Sequence, residues 1–281
     1  MAVDKLVDSS QLDANLTSVA NAIRTRGGTS ASLAFPADFI SAIGNIPSGG
    51  GYTVKDMLYK NEPGGDAVVE ADADIPPYSL VRNTSITKLT LDLGTYKIAA
   101  LSSGQYSGNG YNFNYNNIAV YHIISNNTDK IPSYCFQSDA AQVHVVVIRG
   151  QSNGCLKANA FRNDAGLTVL DYTFTGTNTI EGTAFMSANK FSTFIIRGSA
   201  VCPLANINAF TSATYWKSGG TGGTLYVPQD LISSYQSATN WSTILGYTSN
   251  NIKSIESTHT DPTAPFDMTL YYADGTPIPT S

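Results

Sequence analysis

The sequence predicts a mostly β protein with short helices, built as a solenoid of stacked repeats preceded by a small helical N-terminal module. Three observations point there. The phrases "IPSYCF", "LKANAF", "IEGTAF" and "ANINAF" end in Phe136, Phe161, Phe185 and Phe210, at steps of 25, 24 and 25 residues. A fixed period in this range marks supersecondary units that stack on one another rather than a closed domain. Between the signatures lie short runs rich in β-branched and aromatic residues, bounded by turn formers, as strands are. Finally, charged residues make up only 13%, against roughly 25% in ordinary soluble domains. The 24 Gly, 16 Tyr and many Ser, Thr and Asn that replace them describe a polar, weakly charged surface, as in many extracellular or particle-borne β-rich proteins.

Taken in order, "DSSQLDANLTSVANAIRTRGG" places Leu12, Leu16, Val19 and Ile23 on one helical stripe, with Ser9 or Ser10 as a cap and Gly27-Gly28 as a stop. "FPADFISAIGNIP" gives a shorter helix from about Pro36 that buries Phe39, Ile40 and Ile43. Two short helices with one apolar stripe each need a further surface to cover it, so residues 1–46 read as an anchoring and oligomerisation module. "PSGGGY" opens a flexible linker and transition over residues 47–74.

The repeats are expected over residues 75–227. Aliphatic anchors stand at Ile75, Ile98, Ile131, Leu156 and Ile180, at steps of 23, 33, 25 and 24, and each of the last three precedes its Phe by five residues. In the unit ending at Phe210 the same offset falls on Ala205, and in the unit of Ile75 the Phe position is Leu80. Strands are predicted from Ile86, Ile118, Val143, Leu167, Phe191 and Thr224. The long step holds about eight extra residues in "SGQYSGNGYNFNYNNIAVY". Insertions in solenoids map to loops on one face, often the binding face, and Tyr with Ser, Gly and Asn is the composition of recognition loops. Tyr106, Tyr111, Phe113 and Tyr115 are therefore the candidate binding residues.

Residues 228–258, "PQDLISSYQSATNWSTIL" and onward, read as a cap: Pro228 opens a helix, Leu231, Ile232 and Tyr235 form its apolar face, and Trp241, Ile244 and Leu245 continue it. "SNNIKSIEST" adds a last strand. Residues 259–281, with an alternating "MTLYY", read as an extended arm or hairpin.

Composition also limits function. A net charge of −5 with no Lys/Arg run lacks the basic stripe that phosphate backbones require, so nucleic acid is not an expected partner. Met1 is followed by no apolar stretch resembling a signal peptide, and nowhere do 18 apolar residues run together. The chain is therefore expected to be made in the cytosol and not to insert in a membrane. Cys135, Cys155 and Cys202 are odd in number, without CxxC spacing, and are expected as buried small hydrophobes without a disulfide. His122, His144 and His259 are dispersed, and the first two lie in strand patterns as structural histidines. No GxSxG, HExxH or P-loop occurs. Asp72, Asp74, Asp164 and Asp171 are expected as solvated turn residues. An enzyme, a cofactor and a metal site are thus not expected.

The aliphatic-x4-Phe repeats, the strands between them and the terminating "LYVPQDLISSYQSATNWS" resemble BspA-like leucine-rich repeats over roughly residues 75–256. The opening "KLVDSSQLDANLTSVANAIRTRGGTSASLAFPADFISAIGNI" resembles that of structural proteins of bacteriophages and prophages of gut bacteria, where it precedes variable C-terminal domains. The resemblance implies a virion protein of the tail-fibre or receptor-binding type. Its N-terminal module would bind other tail or capsid proteins, its repeats a host surface polysaccharide or protein, and it would form a homotrimer released by lysis. The alternatives are a capsid-attached head fibre or decoration protein, a bacterial adhesin and a depolymerase.

Overall fold

The computed structural model describes residues 13, 15–21, 33–34, 36–39, 54, 65–77, 86–99, 113, 118–125, 131–137, 144–149, 155–173, 179–247 and 250–255. Residues 1–50 and 51–281 form two compact units.

In the first unit, residues 15–21 are helical. Ala20 and Phe39 are buried together, with Leu16 and Leu33 packed on them. Val19, expected on the same stripe, is 46% exposed: the buried face is centred on Leu16 and Ala20, four residues apart, which leaves Val19 on its flank. Leu12, Ile23 and Ile43 lie outside the described residues.

The second unit is a β-solenoid. Eight strands form one sheet in chain order: β1 Gly65–Glu70, β2 Ile86–Asp92, β3 Val120–Ile124, β4 His144–Arg149, β5 Leu167–Thr173, β6 Thr193–Arg197, β7 Thr224–Val227 and β8 Asn251–Ser254. Every neighbouring pair is parallel. Parallel neighbours require a long crossover, and here each crossover is the rest of one repeat. All six strands predicted in the repeats are present, as is the last strand expected in "SNNIKSIEST". The sheet also starts earlier than predicted, since β1 falls in the expected transition, where "GDAVVE" pairs with β2.

On the opposite wall the anchors form a second ladder, with bridges Ile75 to Ile98, Ile131 to Leu156, Leu156 to Ile180 and Ile180 to Leu204. The last corrects the sequence reading: Leu204, not Ala205, is the anchor. This rung has one more residue because its turn is a 3-10 helix, Ile207–Phe210, capped by the Asn206 side chain, which accepts from the Asn208 N–H. The aliphatic side chain remains in the core and the turn absorbs the extra residue.

Between the walls runs an aromatic stack. Ring centroids are 4.9 Å apart for Phe136 and Phe161, 5.4 Å for Phe161 and Phe185 and 5.3 Å for Phe185 and Phe210, with planes within 16° of parallel. Offset stacks of this kind add to the area that each ring buries. Trp216, Trp241 and Tyr235 continue the stack into the cap. The cap consists of a 3-10 turn, Gln229–Leu231, and two short helices, Ile232–Ser237 and Trp241–Leu245. Its polar groups close the last rung. The Trp241 indole donates to the Cys202 carbonyl at 2.7 Å, and the Tyr235 hydroxyl accepts from the Cys202 N–H at 2.9 Å. The Asn240 amide donates to the Leu204 carbonyl. Three free thiols, Cys135, Cys155 and Cys202, are buried.

Candidate functional site

Side chains alternate across each strand. The inward set, including Val146, Ile148, Leu170, Tyr172, Phe194 and Ile196, belongs to the aromatic core. The outward set of the central strands is Val145, Val147 and Arg149 on β4, Val169, Asp171 and Thr173 on β5, and Thr193, Ile195 and Arg197 on β6. Most of these are buried as well, and Val169, Ile195, Tyr226 and Ile255 form a second apolar cluster, with Val145 beside it. Continuous apolar runs such as "VVVI" in β4 suit a parallel sheet shielded on both faces.

The outer face carries the main departure from the sequence reading. Asp171, expected as a solvated turn residue, is in mid-strand and wholly buried. Val147, Asp171 and Ile195 share one row of the register, and Thr173 pairs with Arg197 in the next. Arg149 donates to both Asp171 oxygens at 2.8 and 2.9 Å through Nη1 and Nη2. Arg197 does the same from the other side at 2.7 and 2.8 Å through Nε and Nη2. Burial alone would push this carboxyl up, but the two guanidiniums override it and hold the group well below the usual carboxylate range. With four N–H donors on it and a depressed pKa, Asp171 is neither a general acid nor a free base at neutral pH. The triad carries two cations to one anion.

His122 lies in the row of Val147, two strands from Asp171. Burial, followed by the charge of Arg149, lowers its pKa to about 3, with Asp171 opposing. It is neutral at pH 7. His144 and Asp164, the other titratable pair, are both fully enclosed, with Nε2 to Oδ2 at 3.1 Å. Asp164 is also a turn residue, as expected, but not a solvated one: its Oδ1 accepts from the N–H groups of Gly166 and Leu167 at 3.0 and 2.9 Å. The His144 ring packs against Tyr121 and Phe136. Asp72 and Asp74 are exposed and accept from the backbone of Val54 and Lys97. Among the described residues, no group of three or more His, Cys, Asp or Glu is placed to hold a metal.

Of the candidate binding aromatics, Tyr106, Tyr111 and Tyr115 lie outside the described residues. Phe113 is a correction. It is fully buried, 4.7 Å from the Phe136 ring, and its N–H donates to the Cys135 carbonyl. It belongs to the core because it fills the stack position of the irregular unit. The signal was available in the spacing, since Phe113 precedes Phe136 by 23 residues, one repeat. The anchor Ile98 precedes Phe113 by fifteen residues instead of five. The extra chain is therefore inserted between anchor and aromatic, and Phe113 fixes its far end to the solenoid.

Two clefts lie at the capped end. One of about 440 Å³ is lined by amides and hydroxyls, among them Gln236, Ser242 and Asn251. A smaller one of about 150 Å³ lies between the half-exposed Ile207, Tyr247 and Lys217. No helix among the described residues is long and apolar enough to cross a membrane. No family model matches the chain, and neither a curated protein nor a solved structure does.

Proposed function

We propose that this chain is a bacteriophage virion protein, a tail fibre or receptor-binding protein that contacts the host surface through a noncatalytic repeat domain of the BspA-like leucine-rich-repeat type. One observation supports the noncatalytic part: among the described residues of the repeats, the groups best suited to chemistry, His144, Asp164 and Asp171, are sealed inside hydrogen-bond networks and shielded from solvent. The turns and the capped end instead present hydroxyls, amides and single aromatic or aliphatic side chains such as Tyr96 and Ile207. Such groups bind by stacking and hydrogen bonding, the manner in which surfaces hold sugars and peptides.

The attachment role is supported by the resemblance of residues 1–46 to the opening of phage structural proteins. In this reading the N-terminal helices bind tail or capsid proteins and bring three copies together. Tyr106 and Tyr111, on the insertion that ends at Phe113, and Tyr115, two residues beyond it, contact a host polysaccharide or protein.

The test is a saturation binding assay of the purified chain on host cells and isolated envelope, comparing wild type with Tyr111→Ala/Tyr115→Ala. Loss of binding with an unchanged melting temperature supports the reading. Unaltered binding removes the insertion from it, and no binding by wild type, with label on the head of intact virions, favours a capsid-attached fibre.

A further inference from the structure

The capped end of the solenoid carries two clefts whose polar lining the fold does not use. The second cap helix, Trp241–Leu245, contributes to both, giving Ser242 and Leu245 to the larger and Ile244 to the smaller. In the larger cleft Gln236, Ser242 and Asn251 are exposed, and their side chains hold no hydrogen-bond partner among the described residues. In the smaller cleft the same is true of Thr211, Ser218 and Lys217, and Lys217 has no ion-pair partner among the described residues either. Asn250, which also lines the larger cleft, behaves differently. Its amide donates to the Trp216 and Ile244 carbonyls at 3.2 and 2.9 Å, and its Oδ1 accepts from the Gly223 N–H at 2.8 Å. These bonds tie the turn before β7, the cap helix and β8 together. The walls are therefore fixed from within, while their exposed donors and acceptors stay available to a ligand.

We infer that the capped end is a carbohydrate-binding site for an oligosaccharide that carries a carboxylate, with a neutral ring in the larger cleft and a uronic-acid unit beside Lys217 in the smaller. The inference goes beyond the role proposed for Tyr111 and Tyr115 and does not depend on it. A sugar presents hydroxyls that each donate and accept, set around weakly apolar C–H faces. Amide and hydroxyl side chains meet the hydroxyls, because they too can donate and accept. Leu245 and Ile252 in the larger cleft, and Ile207 and Tyr247 in the smaller, meet the C–H faces. Among the described residues, no charged side chain lines the larger cleft and Lys217 is the one that lines the smaller. Phosphate-rich partners need clustered cations, and a peptide anchor needs an enclosed apolar pocket; neither cleft offers these.

The clefts are close enough to act together. The turn 244–247 separates them, with Leu245 and Gly246 lining one side and Ile244 and Tyr247 the other, so an oligosaccharide lying over this turn reaches both. The larger, at about 440 Å³, falls within the range of small-ligand sites.

The test applies the fluorescently labelled full chain to an array of immobilised neutral and uronic-acid-bearing oligosaccharides and titrates the bound ones in solution. Binding to uronic-acid-bearing members is expected. Lys217→Ala should weaken it by about tenfold or more, the loss of one charge-assisted hydrogen bond, and Lys217→Arg should restore it. Gln236→Ala/Asn251→Ala should weaken binding through the other cleft. All three side chains are exposed, so an unchanged melting temperature is expected to accompany each loss. Binding of neutral members alone, indifferent to Lys217→Ala, would overturn the assignment of a carboxylate. Binding of no oligosaccharide, or binding kept by the cap variants and lost in Tyr111→Ala/Tyr115→Ala, would overturn the site itself, and the second of these results would leave the proposed role of the tyrosines standing.

Discussion

Replacing Asp171 by Asn removes the carboxylate that lies between two buried guanidiniums while hardly changing the side chain's volume. Arg149 and Arg197 are 8% and 3% exposed and together place four N–H donors on Asp171. Removing one partner from a buried ion pair destabilises by about 3–5 kcal/mol, because the charge left behind is neither solvated nor compensated. Here two charges are left, but each guanidinium keeps one neutral acceptor, which sets the expected loss at about 4 kcal/mol. In a unit of this size each kcal/mol shifts the melting temperature by about 2–4 °C, so a fall of roughly 8–16 °C is expected in a calorimetric scan at pH 7. The pH dependence is a second readout. The folded state holds this carboxyl's pKa below its unfolded value of about 3.9, so its contribution is present above that pH and is lost as pH falls further. Wild type should therefore lose stability below about pH 4 more steeply than Asp171→Asn, and increasingly so as pH falls toward about 2. Adding Arg149→Met should destabilise the Asp171→Asn background less than it destabilises wild type. A melting point within 2 °C of wild type, or parallel stability curves across the acid window, would refute the reasoning.

Phe161→Ala opens the centre of the aromatic stack between Phe136 and Phe185, and urea titration should show a loss of about 3–5 kcal/mol with the slope unchanged. Asp164→Ala leaves the N–H groups of Gly166 and Leu167 and the ring of His144 without their acceptor; chemical denaturation should place the loss at about 2–3 kcal/mol, and a loss below 1 kcal/mol would mean that the turn re-forms without it. Gly223→Ala would put a methyl 2.5 Å from the Trp216 ring. Overpacking of this kind costs about 1–3 kcal/mol, with a measurable shift in Trp fluorescence, and an unchanged spectrum and melting point would show that the indole has room to move.

The rungs were legible in the sequence because each depends on local periodicity. An aliphatic residue, a turn and a Phe recur at nearly constant spacing, and the apolar runs between them have one length and one composition, so six strands, the stack from Phe136 to Phe210 and the capping role of Trp241 follow from pattern alone. Leu204 escaped because a one-residue change inside a turn slides the anchor without altering the stack. Phe113 escaped because a tyrosine- and asparagine-rich neighbourhood suggested a surface, although its 23-residue distance from Phe136 placed it in the core. Asp171 was illegible for a deeper reason. Its place in the predicted strand from Leu167 was readable, but a lone aspartate between Leu170 and Tyr172 carries no sign of its partners, and only the parallel register brings Arg149, 22 residues before it, and Arg197, 26 residues after it, onto one carboxylate. Whether a strand's second face is wet or dry is likewise decided by what packs over it. The sequence by itself determined the repeat, since the core of a stacked unit is built from contacts one period apart. The tertiary structure alone decided which charged groups lie buried on the outer face, since their energy depends on neighbours that no local pattern announces.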